Sequence, residues 1–168
     1  ASVAAIFVLL ISATLSVRAI REPVLEMFQK IFNDHVEIKL EGDTTEYIAE
    51  IYAITEIPEG YTLTNEIINT IMVHRDYDNK DGLSFSYTQI STANDPMVDI
   101  DNEHSKHYKK KVDELKLYMA DFEEDNIKLV YWVQDGYLFH LTFYSRPTDD
   151  EIITMIKSNT IVGYQENE

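Results

Sequence analysis

The sequence predicts an α+β protein: an N-terminal transmembrane helix, then an antiparallel β-sheet domain packed by a juxtamembrane helix and a C-terminal helix. Three observations predict it. No charged residue occurs from Ala1 to Val17. The body alternates short β-rich runs with turn signals, most clearly around Asp135-Gly136. Near the end, Thr148 and Glu151 form a capping box ahead of an isoleucine stripe. The expected division is 1–20 for the transmembrane helix, 21–40 for the juxtamembrane amphipathic helix and 41–168 for the α+β domain.

The first element rests on length and chemistry. Residues 1–17 are Val, Ile, Leu and Phe with small Ala, Ser and Thr between them. About 17 uncharged residues is the lower end of what crosses a bilayer core. Only a helix satisfies its own backbone there. A signal peptide is the first alternative, but Val17-Arg18-Ala19 is a poor cleavage site. A buried helix of a soluble domain is the second, and it needs more apolar partner surface than a small domain has to spare. The membrane is therefore an expected partner through residues 1–17.

The juxtamembrane helix opens at Glu22-Pro23, where a proline suits the first turn. Val24, Leu25, Phe28, Ile31 and Phe32 recur at helical spacing, and the helix ends near Asn33, with His35 at its close. Residues 41–46 are a polar stretch. Strands follow at 47–57 and 67–77, the second with Ile67, Ile71 and Val73 on one side. Pro58-Glu59-Gly60-Tyr61 is a tight turn, and Asp78-Asn79-Lys80-Asp81-Gly82 is a hairpin loop. Leu83, Phe85 and Tyr87 alternate with Ser84, Ser86 and Thr88 as a half-buried strand. Residues 92–107 read as a polar loop. Leu115, Leu117 and Met119 mark another half-buried strand, which turns at 123–126.

The clearest unit is the hairpin at 128–144. Asp135-Gly136 is the preferred two-residue turn, and it sets Trp132 opposite Phe139, Val130 opposite Leu141 and Lys128 opposite Phe143. Both faces of this hairpin are apolar, which predicts a central place in the sheet and cover on both sides, with helices as the expected cover. The last helix should bury Ile152, Ile153 and Ile156. The chain ends in polar Gln165-Glu166-Asn167-Glu168.

Composition bounds the chemistry. The 168 residues carry 30 acidic and 14 basic side chains, a net charge of −16. The first 40 residues are neutral, so the whole excess lies in 41–168. That balance argues against nucleic acid, or an anionic membrane surface, as the main ligand, because phosphate binding needs clustered Lys and Arg. The absence of cysteine excludes disulfides, thiolate metal sites and cysteine nucleophiles.

Several clusters invite a chemical reading. Asp76 to Gly82 resembles a calcium loop, but its glycine and lysine fall at the wrong positions, which leaves a hairpin turn. Asp99, Asp101, Glu103, His104 and His107 are dense enough to raise a divalent ion. They lack zinc-site spacing, and Lys106, Lys109, Lys110 and Lys111 would repel a cation. That segment reads as a solvated loop. His140 faces Tyr131 and reads as a structural histidine; His74 lies on a strand beside Arg75. No nucleophile elbow, kinase motif or phosphate loop is present. No catalytic, cofactor-binding or metal-ligating residue is assigned, and the expectation is a protein that is not an enzyme.

The order of parts is itself informative. An apolar span runs into Arg21-Glu22-Pro23-Val24 and Phe28-Gln29-Lys30-Ile31-Phe32. Then come Ile57-Pro58-Glu59-Gly60-Tyr61, Phe85-Ser86-Tyr87-Thr88-Gln89, Ile100-Asp101 and Tyr131-Trp132-Val133-Gln134-Asp135-Gly136-Tyr137-Leu138-Phe139, closed by the capped helix. This resembles a bacterial membrane-anchored family built on a domain of unknown function, numbered four-three-six-seven. The resemblance implies a single-pass protein with the domain outside the cytoplasm, often associated with regulators of extracytoplasmic sigma factors. It implies no catalytic residues. The family commonly has a glycine in the turn before the last strands; Val112-Asp113-Glu114-Leu115 has none. The expected function is sensory or regulatory binding of an unknown protein or small ligand, in sigma-factor or envelope signalling. The alternative is a lipid or lipoprotein carrier in which a curved sheet and a helix enclose an apolar cavity.

Overall fold

The computed structural model describes residues 35–38, 45–92, 98–101 and 105–165. Residues 1–34 lie outside it, and with them the expected transmembrane helix and the helix at 23–33. Among the described residues no helix is long and apolar enough to cross a membrane. The described part is an antiparallel β-sheet domain with one C-terminal helix.

The elements in chain order are β1 (His35–Ile38), β2 (Glu50–Ile54), β3 (Tyr61–Ile68), β4 (Met72–Asn79), β5 (Ser84–Ser91) and β6 (Val98–Asp101). They continue with β7 (Lys106–Val112), β8 (Leu115–Phe122), β9 (Ile127–Gln134), β10 (Tyr137–Phe143), α1 (Asp149–Lys157) and β11 (Asn159–Tyr164). Seven strands form the main sheet in the order β3-β4-β5-β10-β9-β8-β7. Two antiparallel ribbons, β1 with β6 and β2 with β11, complete the set.

The central hairpin has the expected register. Trp132 pairs with Phe139, Val130 with Leu141 and Lys128 with Phe143. Asp135 and Gly136 have φ of 50° and 80°, the left-handed pair that a two-residue turn of this kind requires. β10 occupies the middle of the seven strands. One face carries Val130, Trp132, Phe139, Leu141 and Phe143, all buried in the main core. Trp132 stacks on Phe139 with ring centroids 5.2 Å apart. The other face carries a second, smaller cluster of Ala120, Tyr131 and Leu138, with Leu129 and Val133 packed beside it.

α1 and the β2–β11 ribbon both contribute to the core on the main face of the sheet. The capping box at Thr148 is present, and α1 buries Ile152, Met155 and Ile156, with Ile153 partly buried. The β2–β11 ribbon supplies Ile48, Tyr52 and Ile54 to the same core. Its docking is polar as well as apolar. Tyr52 donates its N–H to the Gln89 Oε1 at 3.0 Å, and Gln89 Nε2 donates to the Glu50 carbonyl at 2.8 Å. Arg75 Nη1 donates to the Tyr52 carbonyl at 2.6 Å. These side chains satisfy the backbone edge that β2 turns away from β11, a requirement for burying it.

Six expectations are corrected. The strand expected at 67–77 is two strands. Asn69 accepts from the N–H groups of Ile71 and Met72 at 3.0 and 2.9 Å, and this side-chain turn replaces a glycine or proline signal. Ile67 and Ile71, expected beside buried Val73, are exposed. The polar loop at 92–107 contains β6 and the start of β7. A lysine-rich run is tolerated as a strand here because β7 is an edge. His35 begins a strand rather than ending a helix. Ser86 and Thr88, expected on a polar face, are buried between larger neighbours. Beyond α1, residues 159–164 form β11 where no element was expected.

The turn lacking glycine is resolved by Asp113, which adopts φ 53° and sets Val112 opposite Leu115. Asp tolerates the left-handed region better than most residues.

Candidate functional site

The polar run at 76–82 is taken up by hydrogen bonds within the sheet. Asp76 accepts from Asn65 Nδ2 at 3.0 Å and contacts His74 Nε2 at 3.0 Å. Asp78 accepts from Thr64 at 2.9 Å, and Asn79 Oδ1 accepts from the N–H groups of Asp81 and Leu83. The calcium-like run is thus a hairpin whose polar side chains bond across β3 and β4. Asp99 and Asp101 lie on β6, and Glu103 and His104 lie outside the described residues. His107 sits on β7 with its ring nitrogen 2.6 Å from the Ser105 hydroxyl. Among the described residues no three His, Asp or Glu side chains gather as a metal ion requires.

His140 stacks on Tyr131, centroids 4.8 Å apart, and its Nε2 meets the Thr142 hydroxyl. Burial, assisted by nearby His74, pushes its pKa down to about 4. It is a neutral, hydrogen-bonded ring at pH 7.

A concave feature of the described residues lies where α1 crosses the sheet. A cavity of about 270 Å³ opens between the 58–61 turn, the ends of β5 and β10, and the first turns of α1. Phe85, Phe143 and Met155, each nearly inaccessible, make its floor. Pro58, Tyr61 and Leu83 stand at its walls. Tyr61 meets Phe85 edge-on at 5.2 Å, and Tyr77 stacks on Phe85 from beneath at 4.7 Å, so the aromatic floor is held on two sides. A second depression of about 460 Å³ shares Pro58, Glu151 and Met155 with the first and continues along α1. Its rim carries Glu56, Glu59, Asp150 and Glu151.

The polar start of α1 borders the groove. Thr148 caps the helix: its backbone N–H and hydroxyl donate to Glu151 Oε2 at 2.7 and 2.8 Å. Those bonds hold the Glu151 carboxyl below its usual range, so it stays charged. Asp149 collects Lys110 and Lys128, each at 3.2 Å, and the Tyr108 hydroxyl. Burial alone would raise its pKa, but the bonds from Lys128 and Lys110 outweigh that and lower it. Arg146 at the other end of the groove donates to Asp121 at 2.7 Å. The result is an apolar trough with one engaged cation and four acidic side chains.

The profile of the family described as "Domain of unknown function (DUF4367)" matches residues 51–158. The chain belongs to this family. No curated protein and no solved structure matches it. The DUF4367 span runs from β2 to the residue after α1, so every residue named at the groove lies inside it. None of those groove residues was singled out as a site from sequence. They come from four separated segments, near 56–61, 83–85, 143–147 and 150–155, and no local pattern joins them.

Proposed function

We propose that this chain is a membrane-anchored extracytoplasmic domain that binds a ligand for sensing or regulation and performs no chemistry of its own. The groove along α1 is its binding site. The observation that carries this reading is an aromatic and methionine floor that adjoins, through Pro58, Glu151 and Met155, a depression edged by four carboxylates. Such a site suits an occupant with an apolar anchor and positive charge, as in a basic amphipathic peptide segment, since pockets fix apolar bodies with a few placed polar groups. The membrane anchor is supported by the uncharged run at 1–17, and the extracytoplasmic placement by the family resemblance. A role beside extracytoplasmic sigma-factor regulators fits the same resemblance.

The lipid-carrier reading draws on the same apolar floor. The four carboxylates of the rim disfavour an anionic lipid, so we rank it second. Titrating the chain with a fluorescent leucine-lysine peptide and, separately, with a fluorescent fatty acid distinguishes the two. Saturable binding of the peptide, weakened by Glu59→Lys together with Asp150→Lys, supports the sensory reading. Binding of the fatty acid alone supports the carrier, and binding of neither refutes both.

A further inference from the structure

The two edges of the seven-stranded sheet differ in chemistry. β7 closes one side and carries Lys106, Lys109, Lys110 and Lys111. Lysines on an edge strand discourage pairing with another chain. β3 closes the other side. It is eight residues long and has neither lysine nor proline. Every residue from Thr62 to Ile68 is exposed, and Leu63, Ile67 and Ile68 keep 42–48% of their surface accessible. Among the described residues β3 pairs with β4 and with no second strand. A bulge between Leu63 and Asn65 is its one device against further pairing. Its single charge, Glu66, is neutralised by the Arg75 guanidinium at 2.6 Å.

The register gives each face of this edge its own character. Leu63 lies opposite Tyr77 and Ile68 opposite Val73, both members of the main core, so that side is apolar. On the other side Asn65 lies opposite Asp76, Thr62 opposite Asp78 and Ile67 opposite His74. Asp78 is exposed and accepts from the neutral Thr64 hydroxyl; Asp76 accepts from the neutral Asn65 amide and contacts His74. This side therefore keeps negative charge. β3 begins at Tyr61, which also lines the groove and meets its Phe85 floor edge-on, so the edge leads into the groove.

We propose that β3 accepts an added strand from the peptide that occupies the groove, an extended segment in which apolar and basic residues alternate. The inference rests on the groove reading for its ligand. In strand addition the main chain supplies affinity and alternate side chains supply specificity. Successive residues of a strand point to opposite faces. The apolar set of the ligand meets Leu63 and Ile68, and the basic set meets Asp76 and Asp78. β7 cannot act in the same way, because its lysines repel such a segment.

Two leucine-lysine peptides of identical composition test this, one strictly alternating for a strand and one spaced for a helix. Each is titrated against the 168-residue chain, and amide hydrogen exchange of β3 is followed at saturation. The alternating peptide should bind more tightly by about 10-fold or more, through the added main-chain hydrogen bonds. Exchange from Thr62 to Ile68 should slow about 10-fold or more. Leu63→Thr together with Ile68→Thr should weaken that peptide about 10-fold or more. The melting temperature should not change, since both side chains are exposed. Equal affinity for the two peptides, or unchanged exchange in β3, overturns the added strand; the groove reading survives that result if Glu59→Lys with Asp150→Lys still weakens binding. If the β3 changes weaken binding and the Glu59 and Asp150 changes do not, the added strand stands and the groove reading alone fails. A dimer in sedimentation without peptide, dissociated by the two threonine changes, overturns the proposal in favour of a second copy of the chain on this edge.

Discussion

Replacing Trp132 by alanine should bring the domain close to unfolding. Trp132 is completely buried in the middle of the main core and stacks on Phe139. A large aromatic side chain buries about 150–250 Å². At about 25 cal/mol per Å² this sets an upper figure of roughly 4–6 kcal/mol. Large aromatic-to-alanine changes in cores cost about 3–5 kcal/mol, so about 4 kcal/mol is expected. Domains of this size hold only about 5–15 kcal/mol in total. Trp132 is the single tryptophan of the chain, so its fluorescence reports unfolding in the natural protein but not in the variant. Urea titration followed by far-ultraviolet circular dichroism serves both. The melting temperature should drop by roughly 10–20 °C, taking a few degrees per kcal/mol. A loss below about 1.5 kcal/mol would mean that Trp132 does not fill the core. The Asp135-Gly136 register and both face assignments would then fail with it.

His140 gives a pH signature. Its folded pKa of about 4 lies below the ordinary value, so the unfolded chain takes up a proton first as pH falls. Stability should therefore be complete above about pH 6.5 and drop by up to about 2–3 kcal/mol as pH falls toward 4; His140→Gln should remove that slope in urea titrations at several pH values. Asp149→Asn leaves the ammonium of nearly buried Lys128 without its carboxylate. Breaking a fully buried pair costs about 3–5 kcal/mol, and the partial exposure of Asp149 reduces this to about 2, measurable by the same unfolding assay. Asp113→Gly should stabilise by about 0.5–1 kcal/mol, because glycine adopts the positive φ of that turn without strain. The Lys157 contact that it removes is solvent-exposed and contributes little. A decrease in melting temperature would contradict that account of the turn.

Much of the sheet was legible because its strongest signals are local. Asp135-Gly136 specifies a two-residue turn, and the turn specifies every pair of the central hairpin. Thr148 and Glu151 announced α1 for the same reason, since a capping box needs only four residues. The elements that were missed have tertiary causes. Asn69 turns the chain with its side chain amid β-branched neighbours, leaving no glycine or proline to mark the break. β7 looked like a solvated lysine run because an edge strand permits what a central one does not. β11 follows α1 after a single residue and is a strand only through its pairing with β2, over a hundred positions earlier. Gln89 and Arg75 read as ordinary strand polar residues, yet they hold the β2 edge. The groove was illegible for a similar reason: its floor joins Phe85, Phe143 and Met155 only after the sheet and α1 have met.

The most direct test of the account is to fill the groove. Leu83 stands at its wall and is substantially exposed, so Leu83→Trp narrows the site without disturbing the core. Titration of the natural chain and of this variant with the leucine-lysine peptide, with melting temperatures recorded alongside, isolates the groove. The account predicts affinity weakened about 10-fold or more, corresponding to about 1.4 kcal/mol, at an unchanged melting temperature. Equal affinity for both chains would place the binding site elsewhere and contradict it.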